Sequence, residues 1–251
     1  MKKILIAMFC IAVLCCSCSK GNDMDKYVDD LLKDEKGLDK EVVKNYCNFK
    51  SSKIIEDSTK GVLAVSVEDF DDDGEDDVIV ARVEDGGVVL SLYQLEDEKL
   101  VEQDSMLVIE DYLSIGSIVR IDGFVKEVKG EINFFVEGFA VNSFFADVMS
   151  WKFAKVGVSN GKLKSVYKNG IDGSYFEEEE IDKIITNLVA SGLDVDDIVL
   201  NDGEFIAEQD KDVDKVFTIE RDVFEGFDVE AYENEKEDVQ YGETTFVDYT
   251  K

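Results

Sequence analysis

The chain has no histidine and no proline among its 251 residues, and 27 basic side chains stand against 58 acidic ones. Each shortage removes a class of chemistry. Without histidine there is no Ser-His-Asp or Cys-His nucleophile system, no His-ligated zinc and no H-E-x-x-H site. Without proline, where ordinary usage of about 5% would give roughly a dozen, there are no Pro-rich linkers and no cis-Pro turns. The formal charge of −31 repels phosphate backbones and anionic head groups, which argues against nucleic-acid binding and against docking through a basic patch. Small cations are the natural partners of such a field. No G-x-G-x-x-G or Walker loop is present to cradle a nucleotide.

What remains is enough for a folded domain, because 45% hydrophobic and 10% aromatic residues separate the chain from acidic disordered proteins. A chain of this length accommodates one compact domain or two small ones.

The N-terminus reads M-K-K, then an apolar stretch from Ile4 to Leu14, then C-C-S-C-S-K-G-N-D. That is a basic region, a short hydrophobic region and a small-residue break. The apolar run is shorter than the roughly 20 residues needed to span a bilayer, so it is expected to be a targeting segment. The cysteine break resembles the lipobox of bacterial lipoproteins, in which one cysteine becomes the lipid-modified first residue of the mature chain. The resemblance implies a signal peptide over 1–17, lipidation (palmitate-type acylation) of Cys18 with small Ser17 before it, and a cell-membrane or outer-membrane anchor on the extracytoplasmic side. Cys16, with Val13 three residues earlier, is the alternative modified residue. Processing at Cys18 would leave Cys47 as the sole free thiol, with no intrachain disulfide. Loss of Lys2 and Lys3 would leave 25 basic residues against 58 acidic, a charge of −33. Residues 18–23 are then expected to form a lipidated tether of small and polar residues.

Beyond the tether, Met24, Tyr27, Val28, Leu31 and Leu32 recur at helical spacing, and a second short helix is expected from Asp39 over Val42, Val43 and Tyr46. Cys47 would follow on that pattern as a small buried hydrophobe. From Gly61 the period changes to two: G-V-L-A-V-S-V, V-I-V-A-R-V and V-V-L-S-L-Y-Q-L, with Asp85-Gly86-Gly87 as a hairpin turn. Further strands are expected at Met106–Ile109, Ser117–Ile121, Ile132–Val136 and Trp151–Val158, with Asn160-Gly161 turning the chain before K-L-K-S-V-Y. Ser174 and Glu177 form a capping box, and Ile181, Ile184, Ile185 and Leu188 then share one helical face ending near Gly192. The fold class is therefore α+β: a strand-rich antiparallel domain over 24–205, with an N-terminal amphipathic helix and one later helix at about 175–190. Residues 206–251, with fifteen acidic and five basic side chains, are expected to be edge strands or partly disordered.

The densest chemistry lies at Glu68–Val80, E-D-F-D-D-D-G-E-D-D-V-I-V, where six aspartates and two glutamates surround one glycine. Read as D-x-D-x-D-G-x-x-D, the loop sets Asp69, Asp71 and Asp73 at positions 1, 3 and 5, Gly74 at the turn, Glu75 at 7 and Asp77 at 9. Ca²⁺ takes six to eight oxygens at roughly 2.3–2.6 Å, and alternate residues of a tight loop can turn carboxylates inward while position 7 offers its backbone carbonyl. An EF-hand would need flanking helices and a glutamate at position 12, which here is Val80 between strand-like flanks. The segment instead resembles the calcium loop of FG-GAP and related propeller-type repeats, joining two strands and followed by an apolar triplet. The resemblance covers about Val62–Leu90 in a single copy, and implies side-chain ligation by Asp69, Asp71, Asp73 and Asp77 with a backbone oxygen from Glu75. Asp210, Asp212 and Asp214 also alternate, but Lys215 stands where the turn glycine would be, so an exposed acidic strand or turn is expected there.

Enzymatic motifs are sparse. Ser165–Lys168, S-V-Y-K, matches the S-x-x-K of penicillin-recognising enzymes, but S-D-N and K-T-G are missing. The reading from sequence is a lipid-anchored cell-envelope module with a structural calcium loop and an envelope protein or glycan as partner. A carboxylate-dependent, glycosidase-like hydrolase or a solute-binding lipoprotein are the alternatives.

Overall fold

The computed structural model describes residues 21–34, 43–48, 53–55, 60–110, 118–142, 148–173, 178–195, 206–222 and 239–250. Residues 1–17, Cys18 and the capping pair Ser174 and Glu177 lie outside them. Among the described residues no helix is long and apolar enough to cross a membrane.

The chain opens with helix α1 (Gly21–Asp34) and continues through β1 (Val43–Asn48), β2 (Lys53–Ile55), β3 (Gly61–Glu68), β4 (Asp77–Glu84), β5 (Gly87–Glu96), β6 (Lys99–Ile109), β7 (Ile118–Val128), β8 (Glu131–Asn142), β9 (Val148–Val158) and β10 (Leu163–Gly173). Helix α2 (Glu178–Ala190), the single turn α3 (Ile206–Gln209), β11 (Asp214–Asp222) and β12 (Val239–Asp248) complete it. Two antiparallel sheets result. One has four strands in the order β3-β4-β5-β6, and the other eight in the order β10-β9-β8-β7-β11-β12-β1-β2. The strand-rich α+β class expected from sequence is the class observed.

Side-chain alternation explains the layering. On β4, Ile79, Ala81 and Val83 point into the main core, whereas Val78 and Val80 point the other way. On the eight-stranded sheet Phe134, Val136, Ala154 and Val156 enter the same main core, while Phe135, Trp151 and Phe153 face out. The two sheets therefore pack face to face, and a helix covers the outer face of each. Met24, Val28, Leu31 and Leu32 of α1 lie on Val62, Val78, Val80 and Tyr93, so the helical stripe read from sequence packs there, except for Tyr27, which is not in that cluster. Ile184 and Leu188 of α2 lie on Phe124, Phe135, Trp151 and Phe153. A strand side chain fully buried in these layers, such as Val78, Val80 or Phe134, contributes about 1.5–3 kcal/mol, which is why the alternation fixes the register. Helix α2 stops as expected: Gly192, at φ 93°, takes the left-handed position, Leu193 N–H donates to Leu188 C=O and Gly192 N–H to Val189 C=O.

Two hairpin turns fall where the sequence places them. Asp85-Gly86 (φ 47° and 79°) joins β4 to β5 and Asn160-Gly161 (φ 55° and 65°) joins β9 to β10, both with two left-handed residues matching the strand twist.

Several expectations are corrected. The segment over Val43 and Tyr46 is strand β1, not a helix: it is held between β12 and β2. Long-range pairing overrides a weak local helical pattern there, and Cys47 sits in that ladder opposite Val239 and Ile54. Helix α1 begins at Gly21, inside the segment read as tether. The C-terminal stretch is not a sheet edge at β11, which pairs with β7 on one side and β12 on the other. Its Phe217 and Ile219 are fully buried in the main core.

Candidate metal centre

The acidic loop connects β3 to β4 on the four-stranded sheet, so both of its ends are fixed by a strand ladder in which Glu68 stands opposite Asp77. Phe70 is 3% exposed and packs in the main core, which pins the loop from below. The turn above it depends on left-handed backbone at Asp72 (φ 58°) and at Gly74 (φ 89°). An L side chain at Gly74 would be strained even though the space around it is open.

Backbone donors organise the carboxylates. Asp69 Oδ1 accepts from Asp73 N–H at 3.0 Å and its Oδ2 from Gly74 N–H at 2.9 Å, while Asp73 Oδ1 accepts from Glu75 N–H at 2.8 Å. The result is that one carboxylate oxygen from each of Asp69, Asp71 and Asp73 lies within 4.8 Å of the others. Three such groups at that spacing form a site that could hold a metal ion. Glu75 is exposed and takes part through its N–H.

Asp77 stands outside that trio, at the first position of β4, and its condition is unusual. It is 3% exposed; Oδ1 accepts from Gln94 Nε2 at 2.8 Å, and Oδ2 is buried without a hydrogen-bond partner. Asp71 Oδ1 is likewise buried and unpaired. A buried carboxylate oxygen with no donor costs on the order of 1–3 kcal/mol or more. Burial pushes the Asp77 carboxyl up to about 6; the Gln94 bond and the backbone N–H of Phe70 oppose this, and the neighbouring Asp71 and Asp73 charges add to it. Asp71 is raised for the same reasons, burial first and then the charges of Asp73 and Asp69. A cation held by the Asp69–Asp71–Asp73 trio would reverse the sign of their mutual repulsion and give the orphaned Asp71 oxygen a partner.

The residues that sequence reasoning missed are Phe70, the apolar anchor, and Gln94, the donor to Asp77. Gln94 was within reach of inference: the β4–β5 register runs from Glu84 opposite Gly87 to Val78 opposite Tyr93, and one further step sets Asp77 opposite Gln94.

Other acidic groups have different roles. Asp210 is buried rather than exposed, accepting from Lys126 Nζ at 2.6 Å and from Asp194 and Asp212 N–H at 2.8 and 3.1 Å. It is a fully partnered structural carboxylate. Glu137 and Asp122, 1% exposed each, lie beneath α2 and α3, bonded to Trp151 Nε1 and Ile206 N–H and to Thr218 and Arg120 respectively. Ser165–Lys168 falls within strand β10. An open groove of about 630 Å³ crosses the outer face of the four-stranded sheet, lined by Lys60, Arg82, Glu84, Ser91, Glu102 and Ser105 among others. Its floor carries a chain of bonds from Arg82 to the Tyr93 hydroxyl at 2.6 Å and on to Glu102 at 2.8 Å.

No protein-family model, curated protein or solved structure matches the chain.

Proposed function

We propose that this chain is a lipid-anchored, extracytoplasmic binding or interaction module of the cell envelope, whose fold is stabilised by a calcium ion in the loop from Asp69 to Asp77. The observation that carries the calcium reading is the conjunction of the Asp69–Asp71–Asp73 trio with the buried, unpartnered Oδ2 of Asp77. Four carboxylates and a backbone carbonyl make a hard, all-oxygen donor set. Such a set suits calcium, which tolerates irregular geometry and high coordination number, better than magnesium, which demands a near-ideal octahedron and keeps its waters. The anchor reading rests on the N-terminal pattern ending at Cys18, and the module reading on a strand-rich scaffold carrying a polar groove.

The test is thermal unfolding against calcium concentration. An ion that binds only the folded chain stabilises by RT ln(1 + [Ca²⁺]/Kd), about 1.4 kcal/mol at ten times Kd. Extracellular modules bind at roughly 10⁻⁴–10⁻³ M, so millimolar calcium should raise the melting temperature. Sodium chloride at matched ionic strength controls for screening of the large negative charge. Asp71→Ala combined with Asp73→Ala should remove the calcium-specific increment and leave the salt response. Equal calcium responses in wild type and double variant would reduce the loop to a solvated acidic turn.

A further inference from the structure

The buried face of the loop holds a residue that binds no metal itself. We propose that Gln94 is a positioning residue for the metal centre: its side-chain amide, held between Asp77 and the β9–β10 turn, fixes the Asp77 carboxylate so that Oδ2 is presented to the ion. This inference rests on the calcium reading above and adds to it the device that makes Asp77 a ligand.

A carboxylate has two equivalent oxygens and rotates readily, so a useful ligand needs one oxygen tied down. Gln94 Nε2 ties Oδ1 at 2.8 Å, and Oδ2 is left buried without a hydrogen-bond partner, on a carboxylate near enough to Asp71 and Asp73 to feel their charges. Gln94 is itself constrained from the far side. A Cβ added to Gly161, whose φ is +65°, would lie 3.2 Å from Gln94 Oε1, so the turn of the opposite sheet abuts the amide. Leu163 N–H, two residues beyond, donates to Asp104 Oδ2 on β6 at 3.0 Å and holds that turn against the four-stranded sheet. The amide therefore has a strand on one side and a docked hairpin on the other. Partners that orient a ligand in this way typically change metal affinity 10–100-fold when removed.

The experiment is calorimetric titration of the full chain with calcium chloride, together with melting in the presence of a chelator. Gln94→Leu should weaken calcium binding about 10-fold or more, and in chelator it should melt below wild type, because Asp77 Oδ1 loses its donor with or without the ion. Asp77→Ala should also weaken binding, and Gln94→Leu on the Asp77→Ala background should weaken it no further, because the two residues act as one unit. Gln94→Ala gives the same reading should leucine crowd the turn. Wild-type affinity in Gln94→Leu, or an undiminished effect of Gln94→Leu once Asp77 is alanine, overturns the proposal while leaving the calcium site standing. Absence of calcium binding in wild type overturns the site itself and this inference with it.

Discussion

Trp151 Nε1 donates to Glu137 Oε1 at 2.9 Å with both residues sealed under α2 and α3, and the other oxygen of Glu137 accepts from Ile206 N–H, also at 2.9 Å. Burial pushes the Glu137 carboxyl up to about 8; the bonds from Trp151 and Ile206 and the Arg120 charge oppose this, and the Asp122 charge reinforces it. An acid that holds its proton more tightly when folded contributes stability that is fully present below its unfolded value, here 4.5, and is lost as pH rises through about 8.

The window from pH 6.5 to 8 holds the folded value of Glu137, and comparison with a Glu137 variant separates it there from the raised Asp122 and from the cysteine thiols. The chain has no histidine to titrate there, and the raised Asp77 is at about 6. Urea unfolding should show stability falling with pH across that window by up to about 1.4 kcal/mol per pH unit, the limit for one proton. Glu137→Gln should flatten the slope whatever it does to the absolute stability. A slope unchanged by that substitution would place the titration elsewhere.

A close approach in the main core gives a second prediction. The ring of Phe217 lies over the backbone of Gly123, so that a Cβ there would come within 2.2 Å of Cε1. Phe217 is fully buried and cannot swing into solvent. Gly123→Ala should therefore destabilise by about 1–3 kcal/mol through overpacking. Pairing it with Phe217→Leu should cost less than the two single changes added together, since the smaller side chain vacates the clash. Strict additivity in denaturant unfolding would remove the contact from the explanation.

Anchoring supplies the third prediction. Labelling with a palmitate analogue should tag the wild-type chain, and Cys18→Ala should yield untagged, released protein. Two or three acyl chains on one cysteine anchor stably where a single myristoyl chain gives only marginal binding. Persistent tagging of Cys18→Ala would transfer the modification to Cys16, and loss of tagging only in Cys16→Ala would do the same.

The sequence is legible where the information is local. Asp69, Asp71 and Asp73 converge because alternate residues of one tight loop are neighbours whatever the rest of the chain does, and Asp85-Gly86 and Asn160-Gly161 turn because glycine takes left-handed backbone cheaply. The turn at Asp97-Glu98 is hidden for the converse reason: both residues are left-handed (φ 47° and 64°) without a glycine to signal it. β1 is hidden because its partner β12 lies nearly two hundred residues away, so nothing near Val43 announces a strand. Gln94 is invisible as a loop residue since it reaches Asp77 across 17 residues of chain, through a hairpin register rather than a motif. The acidic count of the C-terminal segment masked the Val216–Ile219 run, whose Val216, Phe217 and Ile219 enter the main core between the two sheets.

That same segment separates two aspartates that the sequence treats alike. Asp210 and Asp212 belong to one alternating acidic run, yet Asp212 is exposed and the Asp210 side chain is 1% exposed against a Lys126 side chain that is itself 12% exposed. Burial alone would raise the Asp210 carboxyl, but the bonds from Lys126 and from Asp194 and Asp212 N–H outweigh it and hold it below the ordinary value. Asp210→Ala would leave a largely buried lysine and two backbone donors without their acceptor. Breaking such a pair from one side costs about 3–5 kcal/mol. Asp212→Ala removes an exposed charge from an already negative surface, and surface changes of that kind stay within about 0.5 kcal/mol of neutral. Denaturant unfolding of the two variants at one pH and ionic strength should therefore differ by several kcal/mol, with Asp210→Ala the weaker fold. Equal stabilities would mean that the run from Asp210 to Asp214 is a solvated acidic stretch after all, and that the C-terminal strand is held by its apolar side chains alone.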